Sequence, residues 1–287
     1  MGKLKINNLK RLIVFQISYN KTTKLYIYKI YRLFENILFQ SRHLFLYFRA
    51  ILIKRQLQLP QTMTEGFQNI ATTDITWENV QDYINTGELY KLRRSKEETI
   101  KYRAHKALLK EKDISIIDHI LKKLNWDLDN LEYLNATKYL ENEDKLKACF
   151  SNKDYFKLLP NDFPYMFEPN IIHLLVWSKI RLPIYLDDHR EVSMEKHNDV
   201  LPTMNPDMKE KINKFLTKTL QKKLGLDPVN DYVWFINYTS LQSIRAISHI
   251  HLLIRCKDIP PEHSKEAKKA TEKVMDGFLN HDFFETL

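Results

Sequence analysis

LLPNDFPYMFEPNIIHLLVWSK (residues 158–179) and VWFINYTSLQSIRAISHIHLLI (residues 233–254) each join a polar, aromatic turn to an apolar run rich in strand-favouring residues. Both runs are shorter than the ~18 uncharged residues that a membrane helix requires. Residues 171–177, 232–237 and 248–256 are therefore predicted strands. His173, His249 and His251 lie inside these runs, where an imidazole requires either a hydrogen-bond partner or a function. Alternate strand residues share a face, so His249, His251 and Leu253 point one way and Ile250, Leu252 and Ile254 the other, towards a core.

Helical signals come before the strands. Thr76 is placed to cap a helix whose apolar residues are Trp77, Val80, Tyr83 and Ile84, and which Asn85-Thr86-Gly87 stops. Ser95-Lys96-Glu97-Glu98 reads as a capping box for a second helix, with Ile100, Ala104, Ala107 and Leu108 as its stripe. Ser115 caps a third, in which Ile117, Ile120, Leu121 and Leu124 share one face. Asn205-Pro206-Asp207 begins a fourth, with Met208, Ile212, Phe215, Leu216, Leu220 and Leu224 inward, a lysine-rich solvated face, and Gly225 at its end. A tail helix starts near Glu262. Helices first and strands later give an α+β expectation: an N-terminal helical layer packed on a mainly antiparallel sheet.

The chain has 287 residues, 44% hydrophobic and 28% charged, with a formal charge of +9. That charge is local. Residues 1–62 hold twelve Lys and Arg against Glu35, +11 in all, which leaves −2 for the other 225. A nearly neutral body argues against a nucleic-acid partner. Residues 1–62 form a basic, aromatic extension outside the expected fold. Met63 as the true start is the simplest reading, and a presequence or membrane-surface helix the alternative. Arg32, Glu35, Arg42 and Arg49 interrupt every candidate span, so no membrane partner is expected. Residues 63–287 are expected to form a single α+β domain. Cys149 and Cys256 lack metal or disulfide spacing, which fits a reducing, cytoplasmic setting.

Thr76-Trp77-Glu78, the turn LLPNDFPY at 158–165, HLLVWSK at 173–179 and the Ser-His-x-His strand together resemble the fungal N-acetylglucosamine-induced protein 1 family, a domain of unknown function. The resemblance runs from about Ile75 to Ile254 and implies a cytoplasmic protein of the N-acetylglucosamine pathway or response, ligand-binding or regulatory. Phe163 stands where Trp is commoner in that family.

A second resemblance bears on chemistry. Ala246-Ile247-Ser248-His249-Ile250-His251-Leu252 is similar to the strand of histidine-triad nucleotide-binding proteins, which implies His251 as a nucleophile. Asn161, Pro164, Tyr165 and His173 resemble that superfamily's nucleotide-cradling turn and strand. Leu253 replaces the third histidine, and Tyr238 stands where a helper asparagine is expected, with Asn237 one place away. On this reading His249, Ser243, Arg245 and Lys179 are the polar groups near a developing phosphoryl charge. The alternatives are thus a degenerate nucleotide or sugar-nucleotide hydrolase or transferase, a non-catalytic pocket for a small sugar or nucleotide ligand, a plain sheet face, and a protein-docking module built on the aromatic turn 163–167. Asp187-Asp188-His189 reads as a turn. No residue pattern calls for a metal or cofactor.

Overall fold

Strand pairing dominates the architecture. In the computed structural model, which describes residues 70–186, 201–280 and 284–287, strands β1 (Phe156–Pro160), β2 (Ile171–Ser178), β3 (Tyr232–Phe235) and β4 (Ser248–Arg255) form one sheet in the order β1-β2-β4-β3. Every pairing is antiparallel. The extension 1–62 and the Asp187-Asp188-His189 turn lie outside the described residues.

The helices are α1 (Trp77–Thr86), α2 (Lys96–Glu111), α3 (Ile116–Leu124), α4 (Leu128–Tyr133), α5 (Asn142–Ala148), α6 (Pro206–Leu216) and α7 (Lys265–Asn280). The α+β expectation is met, with helices preceding the sheet. Local chemistry explains the helix starts. The Thr76 hydroxyl accepts the Asn79 N–H at 3.2 Å while the Asn79 side chain accepts the Thr76 N–H at 3.4 Å, and Ser95, Ser115 and Asn205 each accept first-turn N–H groups. Gly87 ends α1 in a left-handed conformation, φ +75°. A Cβ there would meet Leu201 Cδ1 at 2.6 Å and the Tyr238 hydroxyl at 2.8 Å, so the backbone approach that lets Tyr238 donate to the Gly87 carbonyl requires glycine.

Both sheet faces are covered, and β2 is buried along its whole length. On one face Ile172, Leu174, Val176, Ile250, Leu252 and Ile254 share a core with Met208, Ile212 and Phe215 of α6. Phe215 stacks on Phe150 at 4.1 Å and meets Phe156 edge-on, while Trp234 donates to Asn213 at 2.8 Å, which fixes α6 to this side. On the opposite face Leu175 and Trp177 pack with Ile120, Leu121 and Leu124 of α3 and Leu131 of α4.

One sequence expectation changes, and two segments unmarked in the sequence prove to be structured. Helix α2 turns Glu98, Thr99, Tyr102, His105 and Leu109 inward, whereas Ile100 and Leu108 are 49% and 46% exposed. Tyr102 and His105 pack on the Phe163 ring, a contact made by a loop distant in sequence, so aliphatic periodicity misplaces the face. β1 goes unrecognised because Pro160 and the following turn mask its short apolar run. It pairs with β2 from Phe156↔Ser178 to Pro160↔Leu174. Residues 127–147, which carry no clear periodicity, contain the short helix α4, a π-helical turn Leu134–Lys138 and most of α5.

Leu252→Ala, at a fully buried position, is expected to lower unfolding free energy by about 2–5 kcal/mol. Ile100→Ala is expected to change it by no more than about 0.5 kcal/mol. Urea titration of both variants checks the orientation of α2, and comparable losses would contradict it.

Candidate functional site

The β2–β4 register sets Leu175 opposite His251, Trp177 opposite His249 and His173 opposite Leu253, so all six side chains occupy one face. Phe235 on β3 lies opposite His251 and stacks on it, ring centroids 4.6 Å apart and planes within 6°. The expected alternation along β4 is observed, but the histidine face is not a solvated sheet face. His173, His249 and His251 are 4%, 8% and 4% exposed.

Two of these histidines belong to a continuous polar network. His173 Nε2 lies 2.8 Å from His251 Nδ1, and His251 Nε2 lies 3.3 Å from the Asn237 carboxamide, which also contacts the Tyr165 hydroxyl at 2.8 Å. Asn161 Oδ1 accepts the Phe163 N–H at 3.1 Å, so its NH₂ end is the one that faces His173, 3.2 Å from Nε2 and 3.4 Å from Nδ1. The Tyr165 N–H also approaches His173 Nδ1, at 3.5 Å. Across the 2.8 Å contact one of the two neutral imidazoles donates and the other accepts. The Asn237 atom that faces His251 Nε2 is its amide nitrogen. Both nitrogens of His251 are engaged.

His249 differs. Its Nδ1 lies 3.0 Å from the Ile247 carbonyl, which only accepts, so Nδ1 carries the proton. Its Nε2 is left as a bare lone pair with no partner among the described residues. Its ring is 4.7 Å from the ring of Trp177, whose buried indole N–H is itself without a partner. A buried unpaired donor of this kind costs about 1–3 kcal/mol.

His249, Trp177, His251, Asn237, Asn161 and Tyr165 line a cavity of about 110 Å³ between this face and the helical layer. One water needs about 10–15 Å³, so the space holds several. Tyr102, His105 and Lys106 of α2, His119 and Lys123 of α3, Phe163 and Arg94 complete it. Arg94 is fixed by a 2.8 Å bond from Nε to the Phe163 carbonyl, and its guanidinium lies 4.6 Å from the Tyr102 ring and 5.4 Å from the Tyr165 ring. Lys123 pairs with Asp162.

Burial dominates the electrostatics. It brings His173 down to about 3, reinforced by the Arg94 charge and by His249. It also holds His251 well below the ordinary imidazole range, with His173, His249 and Arg94 adding to the effect. His249 is lowered by burial and partly restored by its bond to Ile247. All three are therefore neutral near pH 7.

Of the residues singled out from sequence, Asn161, Tyr165, His173, Asn237, His249 and His251 come together, His173 reaching the cavity through His251. Ser243 lines the cavity but is itself an exposed residue. Arg245 is exposed and does not line it. Lys179 lies elsewhere, its ammonium 5.4 Å from the Trp126 ring. Neither Arg245 nor Lys179 lines the cavity. Sequence reading missed Arg94, in the segment before α2, and Tyr102, His105 and His119 on α2 and α3, whose positions in the chain give no sign that they converge on the sheet. Among the described residues no three His, Cys, Asp or Glu side chains form a metal-ligand group, and no helix is long and apolar enough to cross a membrane.

Fold and site together define an α+β protein with a buried histidine network flooring a small, partly polar cavity. The chain belongs to the family described as protein of unknown function (DUF3605), whose profile matches residues 76–255. It is 32% identical to an uncharacterized protein of Saccharomyces cerevisiae over 213 residues, 72% of this chain and 89% of that protein. It is 34% identical to N-acetylglucosamine-induced protein 1 of Candida albicans over 189 residues, 64% of this chain and 69% of that one. The crystal structure of HTC1 superposes with a TM-score of 0.51 at 32% identity, covering 74% of this chain and 98% of that one.

The depressed histidines fix the sign of a pH dependence. Below an unfolded-state pKa near 6.5 the unfolded chain takes up protons that the folded chain refuses, so stability is full above that pH and falls as pH drops towards 3. The slope approaches about 1.4 kcal/mol per pH unit for each such histidine. Urea unfolding between pH 7.5 and 5 is expected to show this loss, with a shallower slope in His173→Gln. Identical slopes would show that His173 is not held neutral.

Proposed function

We propose that this protein is a cytoplasmic ligand-binding or regulatory factor of the N-acetylglucosamine response, and that its ligand occupies the cavity over the histidine face. One observation carries the reading. His249, which lines the cavity, keeps Nε2 as a bare acceptor with no partner among the described residues. Buried polar groups are ordinarily paired, and an unpaired acceptor beside a void supports a place where a partner arrives from outside. The relationship to N-acetylglucosamine-induced protein 1 of Candida albicans supports the physiological setting. The aromatic turn supports a pocket over a docking surface, because Phe163 and Tyr165 line the cavity and Phe167 is buried in the core.

A binding event raises stability by mass action, by about 2.7 kcal/mol at a ligand concentration 100 times Kd. Thermal unfolding of the full chain with N-acetylglucosamine, its phosphates, UDP-N-acetylglucosamine and adenine nucleotides is expected to show a saturable rise in Tm with at least one of them. No rise across the series would refute the reading.

An enzymatic reading has one observation in its favour, and it moves the reactive group from His251 to His249. A nucleophilic imidazole needs one nitrogen held as a donor and the other free. His249 meets this condition, whereas both nitrogens of His251 are occupied. In such a reaction Nε2 forms a bond to phosphorus as the P–O bond to the leaving group breaks, and water then releases the phosphoryl group and regenerates the imidazole. His249→Ala is expected to abolish any nucleotide or sugar-nucleotide turnover, while His251→Gln retains part of it. Turnover that survives His249→Ala rules this chemistry out.

A further inference from the structure

Helix α2 turns an aliphatic ridge to the outside. Ile100, Ala104 and Leu108 follow one another at four-residue spacing and share a face with Ala107, and all four are exposed, while Tyr102, His105 and Leu109 face inward. At about 3.6 residues per turn, Lys101 and Lys112 fall along one side of the ridge and Arg103 and Lys110 along the other. Glu97 and Glu111 stand at its two ends. Residues 96–112 hold six Lys and Arg against three Glu, a net +3. A second exposed apolar group has the opposite surroundings. Leu128, Tyr133 and Leu140 are exposed, and residues 127–144 around them hold six Asp and Glu against Lys138, a net −5. Asp129, Glu132, Glu141, Glu143 and Asp144 form no ion pair among the described residues.

An aliphatic ridge between cations and an apolar patch among carboxylates match in both hydrophobicity and charge. They lie apart on one molecule. The ridge belongs to the helix that packs on Phe163, beyond the end of β1, whereas Tyr139 and Lys138 tie the patch to Tyr155, just before its start. The strand between them spans about 16 Å, and both surfaces stay exposed, so they do not meet within one copy. We propose that they meet between copies, the α2 ridge of one molecule docking on the patch of residues 127–144 of a second. Pairing of α2 with its own counterpart is disfavoured, because either two-fold arrangement sets flanking cations against flanking cations. The contact is heterologous: unlike surfaces face each other. A ridge only a few helical turns long makes an interface at the small end of the range, so the association is reversible and of micromolar strength. Its ionic part is exposed and screened by salt.

Sedimentation velocity of the full chain over a wide concentration range is expected to show a mass that rises above the monomer, and rises less at high salt. Leu108→Asp and Leu140→Asp, both at exposed positions, should each weaken the association at least about tenfold, since each sets a carboxylate in the apolar part of the contact. An equimolar mixture of the two variants should recover it, because the intact ridge of one meets the intact patch of the other. That recovery also shows both variants to be folded. A monomer at every concentration overturns the proposal. So does association that both variants leave unchanged, which places the contact elsewhere. Loss in only one variant overturns the pairing, since the other surface then plays no part. No recovery on mixing, with urea unfolding confirming both folds, overturns the heterologous arrangement. Association that salt strengthens overturns the match of charge.

Discussion

The contact between His173 Nε2 and His251 Nδ1, 2.8 Å long, is the constraint around which the histidine face is organised. It joins the two central strands through side chains, diagonally across their backbone ladder, since His173 lies opposite Leu253 and His251 opposite Leu175. Two neutral imidazoles in a dry interior tolerate each other only when one donates and the other accepts, since protonating either would bury an unpaired charge. Asn161 and Tyr165 at one end and Asn237 at the other supply the remaining partners. The loop between β1 and β2 is thereby tied to the end of β3. That loop is held from its far side as well. Met166 donates to the Arg93 carbonyl, Ile75 donates to the Met166 carbonyl, and Glu168 accepts from the Trp77 N–H at the start of α1. Its carboxylate there also complements the helix dipole.

His249 stands apart from this arrangement although it is only two residues from His251. The network satisfies His173 and His251 and leaves them nothing to offer a ligand. His249 takes a local carbonyl for its proton and keeps a free nitrogen in the cavity. Two histidines on one strand and one face thus have separate tasks, structural for His251 and ligand-facing for His249. The difference comes from what lies across from each one. His251 meets Phe235 and the Asn237 carboxamide, whereas His249 meets the Trp177 indole, which itself lacks a partner.

The helical layer completes the site. Helix α3 contributes an apolar face to the core and also His119 and Lys123 to the cavity, while α2 contributes Tyr102, His105 and Lys106. Exposed Ile100 and Leu108 show that α2 is not held by an aliphatic stripe. It is held by aromatic contacts to Phe163 and by Arg94, whose guanidinium faces both Tyr102 and Tyr165. The same Arg94 charge adds to the depression of His173 and His251, so the helical layer also influences the protonation of the sheet face.

Sequence by itself determined the local features. These are the N-caps at Thr76, Ser95, Ser115 and Asn205, the stop at Gly87, three of the four strands, and the alternation that puts His249 and His251 on one face. Each depends on neighbours within a few positions, and period-two or period-3.6 patterning records them directly. Only tertiary structure decided that α3 covers this face and buries it, that Asn237 and not Tyr238 reaches His251, that β1 completes the sheet edge, and that Lys179 and Arg245 lie away from the cavity. Those outcomes depend on which residues meet once strands and helices pack, a matter of register and packing that no local pattern encodes. The role of each histidine belongs to the second group, because an imidazole takes its protonation and its use from the atoms opposite it.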